Sequence, residues 1–184
     1  MDFAVPAQLL EISNIHMLPF QRRGKYPPMS PLQYITPNLE LESFSILTPP
    51  LLIEDWNAER GRLKLNCSKH SYFETKISAI QDYIISSIYM HQKALNLDRH
   101  VEITEVKEQF KKIFEVNSLN CFISPYHLFP LYENGERVIL DEFNKRLRPG
   151  KTIRLILQLN GVSSLLGNVF RIQHQILGAY LINP

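Results

Sequence analysis

Hydrophobic and polar positions alternate along "GKTIRLILQLNG" (residues 150–161). Ile153, Leu155, Leu157 and Leu159 fall on one face of an extended chain, and Arg154, Ile156 and Gln158 on the other. The same period of two runs through "NVFRIQHQILGAYLI", where Phe170, Ile172, His174 and Ile176 oppose Arg171, Gln173 and Gln175, and Gly178 is placed for a bulge or kink. Together these runs predict an antiparallel hairpin around a loop from Gly161 to Gly167, with the two polar faces aligned. A third alternating run, "RLKLNCS" (62–68), predicts a half-buried strand with Arg62, Lys64 and Asn66 on a basic outer face. "LNCFIS" and "YENGERVIL", the latter with a turn at Asn134-Gly135, add further β structure.

Between these strands the period changes. Phe73, Ile77, Ile80, Ile84, Ile88 and Leu95 recur at three- and four-residue spacing, which predicts a helix over about 72–95. Ser71 as N-cap and Glu74 three residues on supply a capping box. "TEVKEQFKKIFE" predicts a second, shorter helix behind Thr104, with Val106, Phe110 and Ile113 or Phe114 on its apolar face. Residues 1–50 hold prolines at 6, 19, 27, 28, 31, 37, 49 and 50, too many for a long helix or a central strand. This segment is expected to be an arm, with "AQLLEI" as a short strand or helical turn and "QRRGKYPPMSP" as a basic mobile loop.

The inventory predicts a mainly β chain with a helical insertion (α+β). The arm spans 1–50, and a β-rich domain spans 51–184 with its helical segment at about 72–118. A partly open five-stranded antiparallel barrel accommodates these elements, with a β-sandwich or jelly roll as the alternative.

Composition narrows the chemistry only slightly. A hydrophobic content of 45% supports one real core, and a net charge of +2 excludes no partner class. Two cysteines cannot form a disulfide framework, so a reducing intracellular setting is expected. The opening residues lack a secretory pattern, and no apolar run reaches the roughly 18–20 residues of a membrane span, so a soluble protein is expected. Cys67 and His70 have the spacing of half a zinc site, but Cys121 with His127 is not a usual second pair, which favours a buried cysteine beside a partly exposed histidine. His174 lies among apolar neighbours with no nucleophile motif and reads as a packing residue. No nucleophile elbow, phosphate-binding loop or metalloprotease pattern occurs, so no enzyme activity, metal or cofactor is expected.

The clustering of cations and rings is more informative. Lys145, Arg146, Arg148, Lys151 and Arg154 fall within ten positions; Arg22, Arg23 and Lys25 lie beside Tyr26; Arg62 and Lys64 share a strand face. Diffuse positive charge suits phosphates and flat rings suit unpaired bases, so the pattern points to a single-stranded polynucleotide.

The chain from about 42 to 182 resembles the single-stranded DNA-binding proteins of large DNA viruses, which are built on an OB fold. The resemblance lies in "FSILTPPLLI" followed by strand and helix, in "LNCFIS", and in "PLYENGERVILDEFNKRLRPGKTIRLILQLNGVSSLLGNVFRIQHQILGAYLI". Two departures stand out: "VSSLLGN", between the last two strands, carries no ring, and residues 72–118 are more helical than a minimal OB fold requires. The resemblance implies sequence-independent binding of single-stranded DNA, with RNA as the other candidate, in replication, recombination or repair at an infected-cell replication site. Replication proteins are the implied partners, and homo-oligomers would form through the arm. Arg154, Gln158, Arg171, Gln173 and Gln175 would then floor a groove, Arg146, Arg148 and Lys151 would line its rim, and Arg22, Arg23, Lys25, Tyr26, Arg62 and Lys64 would extend it. A viral assembly protein with a β core is the competing reading.

Overall fold

A computed structural model describes residues 4–97, 100–124, 126–166 and 169–182. The strands of the N-terminal third are β1 (Ala4–Pro6), β2 (Ile15–Met17), β3 (Gln21–Arg23), β4 (Tyr26–Thr36), β5 (Leu39–Leu41), β6 (Phe44–Leu47), β7 (Leu51–Asn57) and β8 (Arg62–Asn66). Helices α1 (Ser71–Met90) and α2 (Ile103–Gln109) follow, then β9 (Phe110–Lys111), β10 (Phe114–Glu115), β11 (Ser118–Phe122), β12 (Leu131–Glu133) and β13 (Glu136–Arg137). Helix α3 (Leu140–Arg146) precedes the two longest strands, β14 (Thr152–Leu165) and β15 (Val169–Ile182).

The chain is mainly β, and its large sheet is open and mixed, without closure into a barrel. The main path runs β10-β11-β8-β7-β14-β15-β12-β13. Parallel pairs β1–β6, β12–β15 and β9–β15 revise the expectation of a purely antiparallel arrangement. β14 is the organising strand. One edge carries β15 along its whole length, and the other is shared in turn by β7 at 152–153, β6 at 156–159 and β4 at 161–163. Its inward residues Ile153, Leu155, Leu157 and Leu159 are all 0% exposed, and burying each contributes roughly 1.5–3 kcal/mol.

The hairpin expectation holds, with two irregularities. Asn160 is an extra residue in β14, so the strand runs through Gly161 to Leu165 where a loop was expected, and Leu177 bulges from β15 directly before Gly178. Gly167, the expected end of that loop, and Asn168 lie outside the described residues. The two bulges offset the pairing so that Arg154–Tyr180, Gln158–Gln175, Gly161–Gln173 and Ser163–Arg171 are all opposed on one face.

The first 50 residues are not a detached arm. β4 and β6 pair with β14, and Leu10, Ile15, Leu32, Tyr34, Phe44 and Ile46 enter the common core. Proline forfeits its own N–H donor but keeps its carbonyl, and the Pro31 carbonyl accepts the Leu18 N–H at 2.9 Å, so β4 tolerates three prolines. The expected mobile loop is instead a β3–β4 hairpin turned at Gly24, where φ is +58°.

Every residue of the expected α1 stripe is buried, from Phe73 to Ile88 and on to Leu95, although the helix stops at Met90. The expected capping box is absent: His70 is the N-cap and makes no side-chain cap bond. The expected second helix is shorter than its pattern. It ends at Gln109, because the 110–115 segment is drawn into the sheet beside β15 and β11. Gln81 of α1, only 4% exposed, fixes this segment: its Oε1 accepts the N–H groups of Ile113 and Phe114 at 3.0 Å each, and its Nε2 donates to the Phe114 carbonyl at 3.1 Å. Among the described residues no helix is long and apolar enough to cross a membrane.

Candidate nucleic-acid interface

Alternation on β8 and β11 buries Leu63, Leu65, Leu119 and Cys121 and turns Arg62, Lys64, Asn120 and Phe122 outward. Register places Phe122 directly opposite Arg62, and Asn120 opposite Lys64. Phe122 is 56% exposed, a large apolar residue set among cations.

β11 lies next to β15, but the two share no ladder among the described residues. One side-chain bond spans the gap: the Phe122 N–H donates to His174 Nε2 at 3.1 Å. The acceptor role at Nε2 places the ring proton on Nδ1, which faces the Ile172 carbonyl at 3.4 Å. Burial foremost, with the Arg171 charge adding, holds the imidazole pKa below its ordinary 6.5, against the opposing effect of the Ile172 bond. His174 is therefore a neutral structural acceptor, as expected of a packing residue.

The open seam forms a cleft of about 570 Å³. Arg62 and Lys64 of β8, Lys111 and Lys112 of the 110–115 segment and Arg171 of β15 surround it, against Asp55 and Glu115. Lys64 is ion-paired to Glu54 at 3.0 Å, and Asn66 and then Lys64 hold that carboxyl below its usual range. Arg62, Lys111, Lys112 and Arg171 make no ion pair among the described residues. Gly61 holds β8 against the end of β11: its φ is +60°, and its carbonyl accepts the Ile123 N–H at 2.7 Å.

The remaining expected residues separate into groups. Arg154, Gln158, Gln173, Gln175 and Arg171 do share the outer face of the β14–β15 ribbon. Three of them are engaged locally, because Arg154 Nε donates to the Thr48 carbonyl at 2.9 Å and Gln158 donates to Ser43 Oγ at 3.1 Å while accepting from Gln175. The expected rim lies at the opposite end of the ribbon from Arg171. There Arg146 and Lys151 clasp Glu133 at 2.9 and 3.1 Å, and that carboxylate is only 11% exposed. Arg148 is exposed on the approach to β14. Arg22, Arg23, Lys25 and Tyr26 are exposed at the β3–β4 hairpin, with the Lys25 ammonium 5.8 Å from the Tyr26 ring centre. This hairpin extends past Met29, which pairs with Ser163, toward the same end of the ribbon as Arg171.

Lys111, Lys112, Asn120 and Phe122 were not singled out from sequence. For Phe122 the signal was present: Leu119 and Cys121 as inward residues force Phe122 outward. The thiols of Cys67 and Cys121 are buried, and burial pushes both up to about 12, which suits packing and not nucleophilic chemistry. Among the described residues no group of three or more His, Cys, Asp or Glu side chains could hold a metal ion. Trp56, the single tryptophan, is structural: it packs on Phe143 at 6.5 Å and donates to Asn144 at 3.2 Å, docking α3 on β7.

Comparison of the chain with protein-family models, with curated proteins and with solved structures finds no match.

Proposed function

We propose that this chain is a sequence-independent single-stranded DNA-binding protein, with β7, β8, β11, β15 and β14 acting as an OB-like ring opened at the β11–β15 seam. The order β11-β8-β7-β14-β15 supports this reading, as does the Phe122–His174 bond that brings its two ends together. In an OB fold the face of the second and third strands receives oligonucleotides, and here those strands are β8 and β11. α1 and α2, between them, form the helical insertion.

The observation that carries the proposal is the ring of unpaired cations, Arg62, Lys111, Lys112 and Arg171, around the exposed Phe122. The cations neutralise phosphates without reading sequence, and the ring stacks on any base at about 1–3 kcal/mol per base. A site of about 4–16 nucleotides is expected, with affinity falling as salt rises by about 0.7 logarithmic units per phosphate contact. Fluorescence titration with oligo-dT at low salt tests the proposal, and an oligo-rU arm separates DNA from RNA. Failure of both to bind at low salt overturns it.

One feature favours the assembly reading. Ile139 and Leu140 are 68% and 69% exposed beside a hollow lined by Phe129, Pro130 and Val138, a candidate protein contact. Sedimentation at rising concentration, showing self-association together with indifference to oligonucleotides, would select it.

A further inference from the structure

We infer that a second stacking platform, formed by Tyr132 and Tyr180 and framed by Arg137 and Arg154, engages the polynucleotide beyond the cleft; this rests on the single-strand reading of the cleft. The platform is a cross-strand row. Arg154 of β14 opposes Tyr180 of β15, Tyr180 opposes Tyr132 of β12, and Tyr132 opposes Arg137 of β13. Directly opposed residues share a face, so two guanidinium-bearing residues flank two phenol rings on the outer surface.

The rings are already stacked on each other, with centroids 5.4 Å apart and planes 21° from parallel, and Tyr180 is 44% exposed. A flat pair of this kind presents a π-face to an unpaired base with few rotamers left to freeze. The Thr48 carbonyl, on the edge of β14 away from Tyr180, engages only the Nε of Arg154, and Arg137 is exposed. Local carboxylates do not cancel these charges. Glu133 is held by Arg146 and Lys151, and Glu136 opposes Glu133, so alternation sends it to the face opposite Arg137.

The platform and the cleft lie on one track. The outer face of β15 runs from Arg171, at the cleft, through Gln173 and Gln175 to Tyr180. At about 3.3 Å per residue the nine steps span roughly 30 Å. A charged cleft at one end, glutamine amides along the way and stacked rings flanked by guanidinium groups at the other end match the alternating phosphates and bases of one extended strand. This match commits the face to a polynucleotide and not to a protein partner.

The test measures binding of oligo-dT of about 4 and about 16 nucleotides, lengths that bracket the site sizes of single OB folds. Tyr180→Ala is expected to weaken the longer oligonucleotide roughly tenfold, within the range of one lost base stack, and to leave the shorter one unchanged. Phe122→Ala is expected to weaken both, and Tyr180→Phe to restore wild-type binding. A 5-iodouracil oligonucleotide of the longer length, irradiated on the wild-type protein, is expected to crosslink to Tyr132 or Tyr180, a readout independent of how the variants fold. If wild type binds and Phe122→Ala weakens it, but Tyr180→Ala matches wild type at both lengths and no crosslink maps to β12 or β15, the platform is refuted while the cleft stands. If wild type binds neither length, the parent reading itself fails.

Discussion

Substitution of Gln81 by leucine tests how the cleft wall is held. The side chain is near in size to glutamine, so packing is retained while three hydrogen bonds disappear. The N–H groups of Ile113 and Phe114 and the carbonyl of Phe114 would be left in a buried environment where water cannot easily reach them. Each orphaned group costs about 1–3 kcal/mol, and the added apolar surface offsets part of this, so a net loss of about 3–5 kcal/mol is expected. Against a total stability of about 5–15 kcal/mol this is a large fraction. Urea unfolding monitored by the fluorescence of Trp56 would measure it. With a slope of about 1–3 kcal/mol per molar urea, the midpoint should fall by 1 M or more. Oligonucleotide binding by the folded variant should weaken as well, because Lys111 and Lys112 sit on the segment that Gln81 fixes. A loss below about 0.5 kcal/mol, less than the usual net worth of a single hydrogen bond, would refute the reasoning.

Further outcomes follow from the same geometry. Arg171→Ala and Lys111→Ala should each reduce the salt dependence of binding by about 0.7 per phosphate contact, whereas Arg146→Ala should leave that slope unchanged and lower stability, since it uncovers part of the Glu133 clasp. Gly61→Ala should cost about 2 kcal/mol or more by thermal unfolding, because a Cβ at that positive φ collides with the Ile123 carbonyl oxygen. For His174, whose folded pKa lies below the ordinary 6.5, the stabilising effect is complete above about pH 6.5 and is lost as pH falls through the lower folded value. Urea midpoints at pH 7.5, 6 and 5 should therefore fall more steeply for wild type than for His174→Gln, and parallel curves would show that the ring does not hold the seam.

What could be read from sequence was what repeats locally. The β14 and β15 alternation and the α1 stripe depend on side chains two, three or four positions apart, and both survive in the structure down to the individual buried residues. The 110–115 segment could not be assigned this way, since "FKKIF" satisfies a helical face as well as a strand, and the choice is made by Gln81 reaching from a different element. Proline counting misjudged β4 because it scored the missing donor and ignored the carbonyl that remains. The cleft was only half legible: Arg62, Lys64 and Arg171 stood out on their own strands, but the seam joining them exists only once β11 approaches β15. Arg146, Arg148 and Lys151 read as a rim from their density along the chain, which does not reveal that Glu133 lies across from Arg146 and Lys151.

The two edges of β14 are matched by partners from opposite regions of the chain, β6 near residue 45 and β15 near residue 175. During synthesis β4, β6 and β7 can pair with their early neighbours, but the edges that face β14 must wait until residues 152–165 have emerged. Closing such distant pairings demands a large loss of chain entropy before any contact rewards it, so assembly should be slow and should proceed in one late, cooperative step. A ribosome-bound fragment ending before residue 152 would expose the flanks of β4, β6 and β7 together, making it the species most in need of a chaperone.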